Sequence, residues 1–130
     1  VLAAAGQGWH TVQRRDKEQE LLFVGNQFRM ALNQFYRNTP GMARRYPLSL
    51  EELIEDPRQP AKRRYLRKIY LDPITRSTKW GLITGPSGEI YGVHSLSEDE
   101  PLKKSHFKLA DKAFEGKKKY ADWVFMHSAE

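Results

Sequence analysis

Residues 21–35 read LLFVGNQFRMALNQF, and apolar side chains recur in them every three or four residues. The residues that share this spacing are Leu21, Val24, Phe28, Leu32 and Phe35. An α-helix completes a turn in about 3.6 residues, so this spacing aligns them on one helix face. We therefore expect a long amphipathic helix over residues 1–36, with this apolar stripe forming the core against the rest of the chain.

The chain before the stripe changes character twice. Residues 14–20 carry charges of both signs and no apolar face, so a helix through them is expected to be solvated or to run between a membrane and the domain. Residues 1–6 read VLAAAG and are small and apolar. They are interpreted either as the end of a longer apolar segment or as a frayed helix start.

A short helix is predicted after the long one, within a helix–loop segment over residues 37–78. In the sequence LSLEEL at 48–53, Ser49 is the expected N-cap and Glu52 lies three residues later, which is the spacing of a capping box. Leu48 and Leu53 occupy the positions of a hydrophobic staple.

An antiparallel sheet with an inserted loop is predicted over residues 79–130. The strand-like runs are 79–84, 89–95 and 123–126. The first two flank the turn-forming sequence GPSG, which indicates a hairpin. Gly81 and Gly92 suggest close approach by another backbone, with the long helix as one candidate neighbour. The fold class is therefore α+β, a long N-terminal helix packed on a small antiparallel sheet.

Length and composition favour one domain and exclude several kinds of site. The chain has 130 residues, which fits a single domain over 1–130. It has no cysteine, which excludes disulfides, thiolate zinc sites and thiol nucleophiles. It contains 22 basic and 16 acidic residues, a net charge of +6.

The basic segment, residues 57–71, carries a charge equal to the entire net charge because it contains no acid. Its cations are Arg58, Lys62, Arg63, Arg64, Arg67 and Lys68. With Tyr65 and Tyr70 nearby, they could bind nucleic acid through phosphate contacts and base stacking. A solvated loop and a contact with acids of a neighbouring subunit are the alternatives, and we predict the subunit contact. The candidate acids are Glu51, Glu52 and Glu55, or Glu98, Asp99 and Glu100.

No catalytic motif is present, and the chain is not expected to be an enzyme. The four histidines, His10, His94, His106 and His127, form no pair at metal-ligand spacing, and there is neither a nucleophile elbow nor a P-loop. The acidic residues 98–100, with or without Asp122, could supply oxygen ligands for calcium. Lys103 and Lys104 follow directly and would oppose a cation, so an acidic surface turn is the preferred interpretation.

Four sequence elements, taken in order, resemble a known family. They are YPLSLEEL at 46–53, YLDPIT at 70–75, KWGLI at 79–83 and GEIYGVHSL at 88–96. Together with the apolar start and the long helix, they resemble a type II secretion pseudopilin of the major (G-subunit) or G-like class, lacking the N-terminal part of its membrane helix. The resemblance covers roughly residues 2–96.

The resemblance implies a pilin-like fold and a structural function. A prepilin of this family is cut by a dedicated peptidase, methylated, and held in the inner membrane of a Gram-negative cell with its globular domain in the periplasm. It then joins other pseudopilin subunits on the inner-membrane secretion platform in a filament that helps export folded proteins. A separate ATPase supplies the energy, so no active site is implied. Upstream, about 20 apolar residues preceded by a basic leader with a glycine at the cut are expected.

The chain departs from the family pattern after Ser95 and Leu96. Major pseudopilins usually continue with a glycine-rich loop whose aspartates hold calcium, whereas here an acidic turn and a lysine-rich stretch follow. Asp99 and Asp122 are the only plausible matches to those aspartates. The expectation is therefore a chain without cofactors, with calcium at Asp99 and Asp122 as the alternative. The alternative functions are a nucleic-acid-binding module or DNA-uptake pilin that uses the basic segment, and a periplasmic enzyme.

Overall fold

A long helix and a three-stranded sheet define the fold of this chain. The computed structural model describes residues 2–41 and 44–126, with side chains from Val12 onward. The elements in order are α1 (Leu2–Arg37), α2 (Glu51–Ile54), β1 (Gly81–Thr84), β2 (Ile90–His94), a first 3-10 helix (Leu109–Phe114), a second 3-10 helix (Tyr120–Asp122) and β3 (Phe125–Met126). The fold is α+β, with the long N-terminal helix packed on a small antiparallel sheet, as predicted.

The sheet has the order β1-β2-β3, and both pairs are antiparallel. Val93 at its centre lies opposite Leu82 on one side and Phe125 on the other. The strands are shorter than predicted, and β3 starts two residues late because Trp123 closes the second 3-10 helix instead of pairing. The predicted hairpin turn is present, and Gly88 adopts a φ of 81°, a conformation that favours glycine.

The apolar stripe of α1 is fully buried beneath the sheet. Leu21, Phe28, Leu32 and Phe35 are 0% exposed and Val24 is 1% exposed. The Phe28 ring meets the edge of Trp80 at a centroid distance of 5.1 Å. Aromatic residues of the C-terminal part complete the core: Phe107, Phe114, Tyr120, Trp123 and Phe125. The core therefore lies between one face of α1, the sheet, and the chain that follows the hairpin.

Gly81 and Gly92 are closely packed, but the groups nearest to them differ from the long helix that was the candidate neighbour. Gly92 lies against β3, where an added Cβ would be 2.9 Å from the carbonyl oxygen of Phe125, and Gly81 faces the ring of His94. The nearest atoms to a Cβ at either glycine do not belong to the long helix. Its own Gly25 makes the close approach, because the ring of Phe125 occupies the space that a Cβ would need. A side chain at Gly25 would displace the Phe125 ring from its place against the helix.

The predicted capping box does not form at α2. The helix begins at Glu51 after Leu50, which makes no side-chain cap. The amide N–H of Glu52, which the box would give to the Ser49 hydroxyl, donates to the Ser49 carbonyl oxygen at 3.3 Å. The staple is also wrong, because Leu48 is 52% exposed while Leu53 is buried. A turn at Ser49 and Leu50 places Leu48 outside the core, and only the contact from Glu52 Oε1 to the Leu48 N–H at 3.3 Å remains.

Candidate functional site

Asp56 is the centre of a buried hydrogen-bond network at the C-terminal end of α1. Arg58 donates to its carboxylate from Nε at 2.9 Å and from Nη2 at 2.8 Å, and the Tyr65 hydroxyl donates at 2.7 Å. Arg58 also donates to the Phe35 carbonyl oxygen at 2.9 Å and to Thr39 Oγ1 at 2.7 Å. The Arg58 guanidinium thus links Asp56 to the Phe35 carbonyl oxygen, which the end of α1 leaves without a helical partner.

This network removes Arg58 from the predicted contact surface. Its side chain is 11% exposed, and its guanidinium carbon lies 3.6 Å from the centroid of the Phe35 ring. Burial alone would raise the pKa of Asp56, but the hydrogen bonds from Arg58 and Tyr65 outweigh it and hold that pKa far below its usual range. Arg58 is therefore a structural anchor, and the prediction that it lies on an exposed contact patch is wrong.

The remaining cations of the basic segment are exposed and form what we call the basic patch: Lys62, Arg63, Arg64, Arg67 and Lys68. Their backbone is held in place, because the N–H groups of Tyr65 and Leu66 donate to the Leu53 carbonyl oxygen at 2.8 and 3.0 Å. Leu66 is buried and pins the middle of the patch to the core. The patch is therefore a fixed array of positive charge.

The tyrosines beside the patch differ in what they offer to a nucleic acid. Tyr65 bonds Asp56 through its hydroxyl, and its ring packs edge-on against Phe35 at 5.9 Å between centroids. It is not available for base stacking. Tyr70 is half-buried and has Lys68 Nζ at 5.5 Å from its ring centroid. The stacking platform expected for the nucleic-acid alternative is thus reduced to one ring.

Most of the candidate acids already pair with cations of the same chain. The pairs are Glu52 with Arg45 at 3.3 Å, Glu55 with Lys62 at 3.5 Å, Glu98 with Lys119 at 3.8 Å and Glu100 with Lys104 at 2.7 Å. Glu51 and Asp99 are exposed and form no ion pair within residues 12–41 and 44–126. Of the candidate acids, these two carboxylates are therefore the ones available for an ion pair with a neighbouring subunit.

Glu18 is a buried acid that the sequence interpretation missed. It is 4% exposed, and its carboxylate accepts hydrogen bonds from the N–H groups of Leu102 and Lys103 and from the Tyr120 hydroxyl at 2.7 Å. Burial, and then the hydrogen bond to Glu18, raises the pKa of Tyr120. Glu18 precedes Leu21 by three residues, so helical spacing alone places it on the core face. Residues 14–20, which were predicted to be solvated, therefore include one buried side chain that bonds to another part of the chain.

Two further buried acids hold loops in place. Asp72 and Ser95 are both 0% exposed, and the Ser95 hydroxyl donates to Asp72 Oδ2 at 2.6 Å. Asp111 pairs with Arg29 of α1 at 2.9 Å. Asp72 and Ser95 belong to the elements that carry the family resemblance, and both act here as structural links between loop and sheet.

The predicted calcium ligands lie on two stretches that meet, the turn around Asp99 and the second 3-10 helix, which ends at Asp122. The N–H of Tyr120 donates to the Asp99 carbonyl oxygen at 3.0 Å, which brings the stretches before Asp122 and around Asp99 together. The carboxylates of Asp99 and Asp122 are both exposed. No cluster of three or more His, Asp or Glu side chains suited to a metal occurs in the described part of the chain. Glu98 and Glu100 face lysines, so this donor set does not fit a calcium site.

We expect millimolar calcium to change the melting temperature by less than about 2 °C relative to chelator, because lysines already occupy the acidic turn. Differential scanning calorimetry in matched ionic strength measures this, with magnesium as the control for a general divalent effect. A rise of several degrees with calcium alone, lost in the Asp99→Asn variant, would contradict the expectation.

A groove runs between α1 and residues 103–111, with a volume of about 610 Å³. Its apolar lining is Leu22, Phe23, Phe107 and Ala110. Its basic side chains are Lys103 and Lys108, and His106 and Asp111 also line it. Phe23 is 54% exposed although it belongs to the long helix. The sequence pattern did not indicate this feature, because one of its walls comes from the inserted loop.

The histidines whose side chains are described show no shared site. His94 Nδ1 lies 2.8 Å from the Ser95 carbonyl oxygen, and His106 is exposed at the groove. His10 and His127 lie outside the residues whose side chains are described. No helix in the described part of the chain combines the length and apolarity required to cross a membrane.

Comparison of the chain with protein-family models, with curated proteins and with solved structures gave no match. The basis for a functional assignment is therefore the fold, the basic patch and the groove.

Proposed function

We propose that this chain is a structural subunit of a type II secretion pseudopilus, and that it assembles into a periplasmic filament that helps export folded proteins across the outer membrane. The observation that carries the proposal is the length of α1 relative to its own core. The helix has 36 residues, which is about 54 Å at 1.5 Å per residue. Among the described side chains, burial begins only at Glu18, and those of residues 12–16 are exposed.

A helical extension of this kind gains little stability from packing on its own domain, because the side chains of residues 12–16 are exposed. Most helix stability in proteins comes from packing of an apolar face, which neighbouring copies could supply here. The extension starts with the small apolar residues 2–5, LAAA, which neighbouring helices can pack against closely. In the proposed filament the extensions of successive subunits cover one another, and before assembly the inner membrane holds the full-length form.

The partners follow from the same proposal. They are other pseudopilin subunits, the inner-membrane secretion platform, and the prepilin peptidase that acts on the precursor and precedes methylation. The globular domain lies in the periplasm. The proposed role is mechanical and uses no cofactor, and energy comes from a separate ATPase. The links from Asp72 to Ser95 and from Glu18 to the inserted loop support the role, because they hold loops firmly on α1 and the sheet.

The basic patch is proposed as a subunit contact rather than a nucleic-acid site. The observation favouring nucleic acid is the set of five exposed cations in a segment without acid. Against it, Tyr65 is engaged with Asp56 and cannot stack on a base. Lys62 already lies 3.5 Å from a carboxylate of its own chain, which shows that the patch accommodates acidic side chains. Exposed charges of this kind mainly set register and association rate between proteins.

Reversing Arg63, Arg64 and Arg67 to glutamate is expected to leave the domain folded while reducing filament assembly and secretion. All three side chains are exposed, so their loss removes no core contact. Circular dichroism measures folding, and secretion of a cargo protein with sedimentation of the filament measures assembly. The matched control reverses Lys79, Lys117 and Lys118, which changes the net charge equally at exposed positions outside the patch.

Titration with labelled DNA at low and physiological salt distinguishes the two functions. Subunit contact predicts weak binding that disappears as salt is raised. Micromolar binding that persists at physiological salt and vanishes in the triple reversal would contradict the subunit contact and support the nucleic-acid module.

A further inference from the structure

We infer that the groove between α1 and residues 103–111 binds the α2 corner of a second copy of this chain. The α2 corner is defined as residues 48–51, with Leu48 and Glu51 as its outward side chains. This inference rests on the proposed function, and it identifies two surfaces through which one subunit would contact the next.

The groove offers an apolar floor beside two lysines, and the acid in its lining, Asp111, already pairs with Arg29 at 2.9 Å. Phe23 of α1 is 54% exposed there, and Phe107 closes the opposite wall. Lys103 and Lys108 supply the positive charge, and Lys103 Nζ lies 5.3 Å from the centroid of the Phe107 ring. An occupant therefore needs an apolar side chain next to a carboxylate.

The α2 corner has that combination. Leu48 is 52% exposed because the turn at Ser49 carries it away from the core. Glu51 is exposed and has no cationic partner among the described residues, whereas Glu52 and Glu55 pair within the chain. Leu48 supplies an exposed apolar side chain for the floor, and Glu51 complements the two lysines of the groove. Opposite charges placed this way fix the orientation of a docked neighbour.

The two surfaces lie at different heights along the long helix. The corner is near the C-terminal end of α1, since Glu52 pairs with Arg45, whose guanidinium carbon is 5.4 Å from the centroid of the Phe35 ring. The groove surrounds Phe23, and about 18 Å of helix separates Phe23 from Phe35 at about 1.5 Å per residue. The surfaces therefore belong to contacts with different copies.

A contact between two different surfaces of the same chain is heterologous, so it can repeat from one copy to the next. In a bound pair, one copy still has a free corner and the other still has a free groove, so association continues into a ring or an open filament.

Engineered cysteines test this contact directly because the natural chain has none. The full-length protein with both Leu48→Cys and Ala110→Cys is produced in its own cells and treated with a short thiol–thiol crosslinker. We expect a ladder of dimers, trimers and larger species. Co-expression of the two single variants should give dimers only. The control pair combines Leu48→Cys with Thr78→Cys, an exposed position that does not line the groove, and should give no ladder.

Charge reversal tests the electrostatic part of the contact. Adding Lys103→Glu and Lys108→Glu to the double-cysteine chain is expected to abolish the ladder, and a further Glu51→Lys is expected to restore it. Recovery by the compensating change would exclude simple misfolding as the cause of the loss.

The outcomes separate this inference from the proposed function. A parent chain that assembles filaments but gives no ladder overturns the docking geometry alone. So does crosslinking by Leu48→Cys without its partner, which would indicate a symmetric contact, or an equal ladder from the control pair. A parent chain that neither assembles nor supports secretion overturns the proposed function and this inference together.

Discussion

Replacement of Phe28 with alanine is expected to lower the free energy of unfolding by about 3–5 kcal/mol, because it removes a large ring from a closely packed core. Phe28 is 0% exposed and meets Trp80 edge-on at 5.1 Å between ring centroids. Its position in the middle of α1, beneath the sheet, leaves little room for the surroundings to collapse into the space. Urea denaturation followed by tryptophan fluorescence and circular dichroism measures the change.

The matched control for this variant is Phe23→Ala on the same helix. Phe23 is 54% exposed at the groove, so the same change is expected to cost about 1 kcal/mol or less. A cost below about 0.5 kcal/mol at Phe28 would show that the stripe is not part of the core. A larger cost at Phe23 than at Phe28 would contradict the packing of α1 on the sheet.

Replacement of Asp56 with asparagine is expected to cost about 3–5 kcal/mol, since it leaves the guanidinium of Arg58 buried without its countercharge. The Asp56 side chain is 0% exposed and that of Arg58 is 11% exposed. The variant also weakens the link from Arg58 to the Phe35 carbonyl oxygen, so the C-terminal end of α1 should loosen first. Hydrogen exchange at residues 35–39 and urea denaturation measure the local and the global effect.

The pH dependence of stability provides a second test of Asp56. Its folded-state pKa is lowered, and its unfolded-state pKa is about 3.9. A group of this kind stabilises the fold fully above the unfolded-state pKa, and the contribution is lost as the pH falls from there toward the folded-state value. The natural chain should therefore lose stability below about pH 4 more steeply than Asp56→Asn, in which this group no longer titrates.

The neighbouring Glu55 is the matched control for both measurements. It pairs with Lys62 at 3.5 Å, but the two side chains are 65% and 69% exposed. Exposed ion pairs contribute about 1 kcal/mol or less, so Glu55→Gln should leave stability and its acid dependence nearly unchanged. Equal effects at Glu55 and Asp56 would contradict the assignment of Arg58 as a buried anchor.

The local patterns of the sequence predict the elements that depend on local chemistry. The spacing of the apolar stripe identifies the long helix and its buried face, because helical periodicity is set by the backbone. The GPSG turn and its flanking runs identify the hairpin for the same reason, since glycine and proline restrict or permit particular dihedral angles. The α+β class follows from these two elements.

The capping box shows where local reasoning fails. Ser49 and Glu52 have the right spacing, yet the Glu52 N–H donates to the Ser49 carbonyl oxygen and α2 begins later. The helix has only four residues, so the packing of Leu53 and its carbonyl contacts with Tyr65 and Leu66 decide where it starts. Tertiary contacts override a local preference of this size.

The charged residues show the same division between what the local sequence determines and what tertiary contacts decide. Their types and their net charge follow from the sequence alone, and so does the presence of a basic segment. Which of them are anchors and which are surface is a tertiary property, because Arg58 and Glu18 are buried only when distant parts of the chain fold against α1. The groove beside Phe23 likewise exists only once residues 103–111 lie along the helix. Periodicity reports a residue's face on its own element, whereas burial, pairing and concave surfaces depend on which other element covers that face.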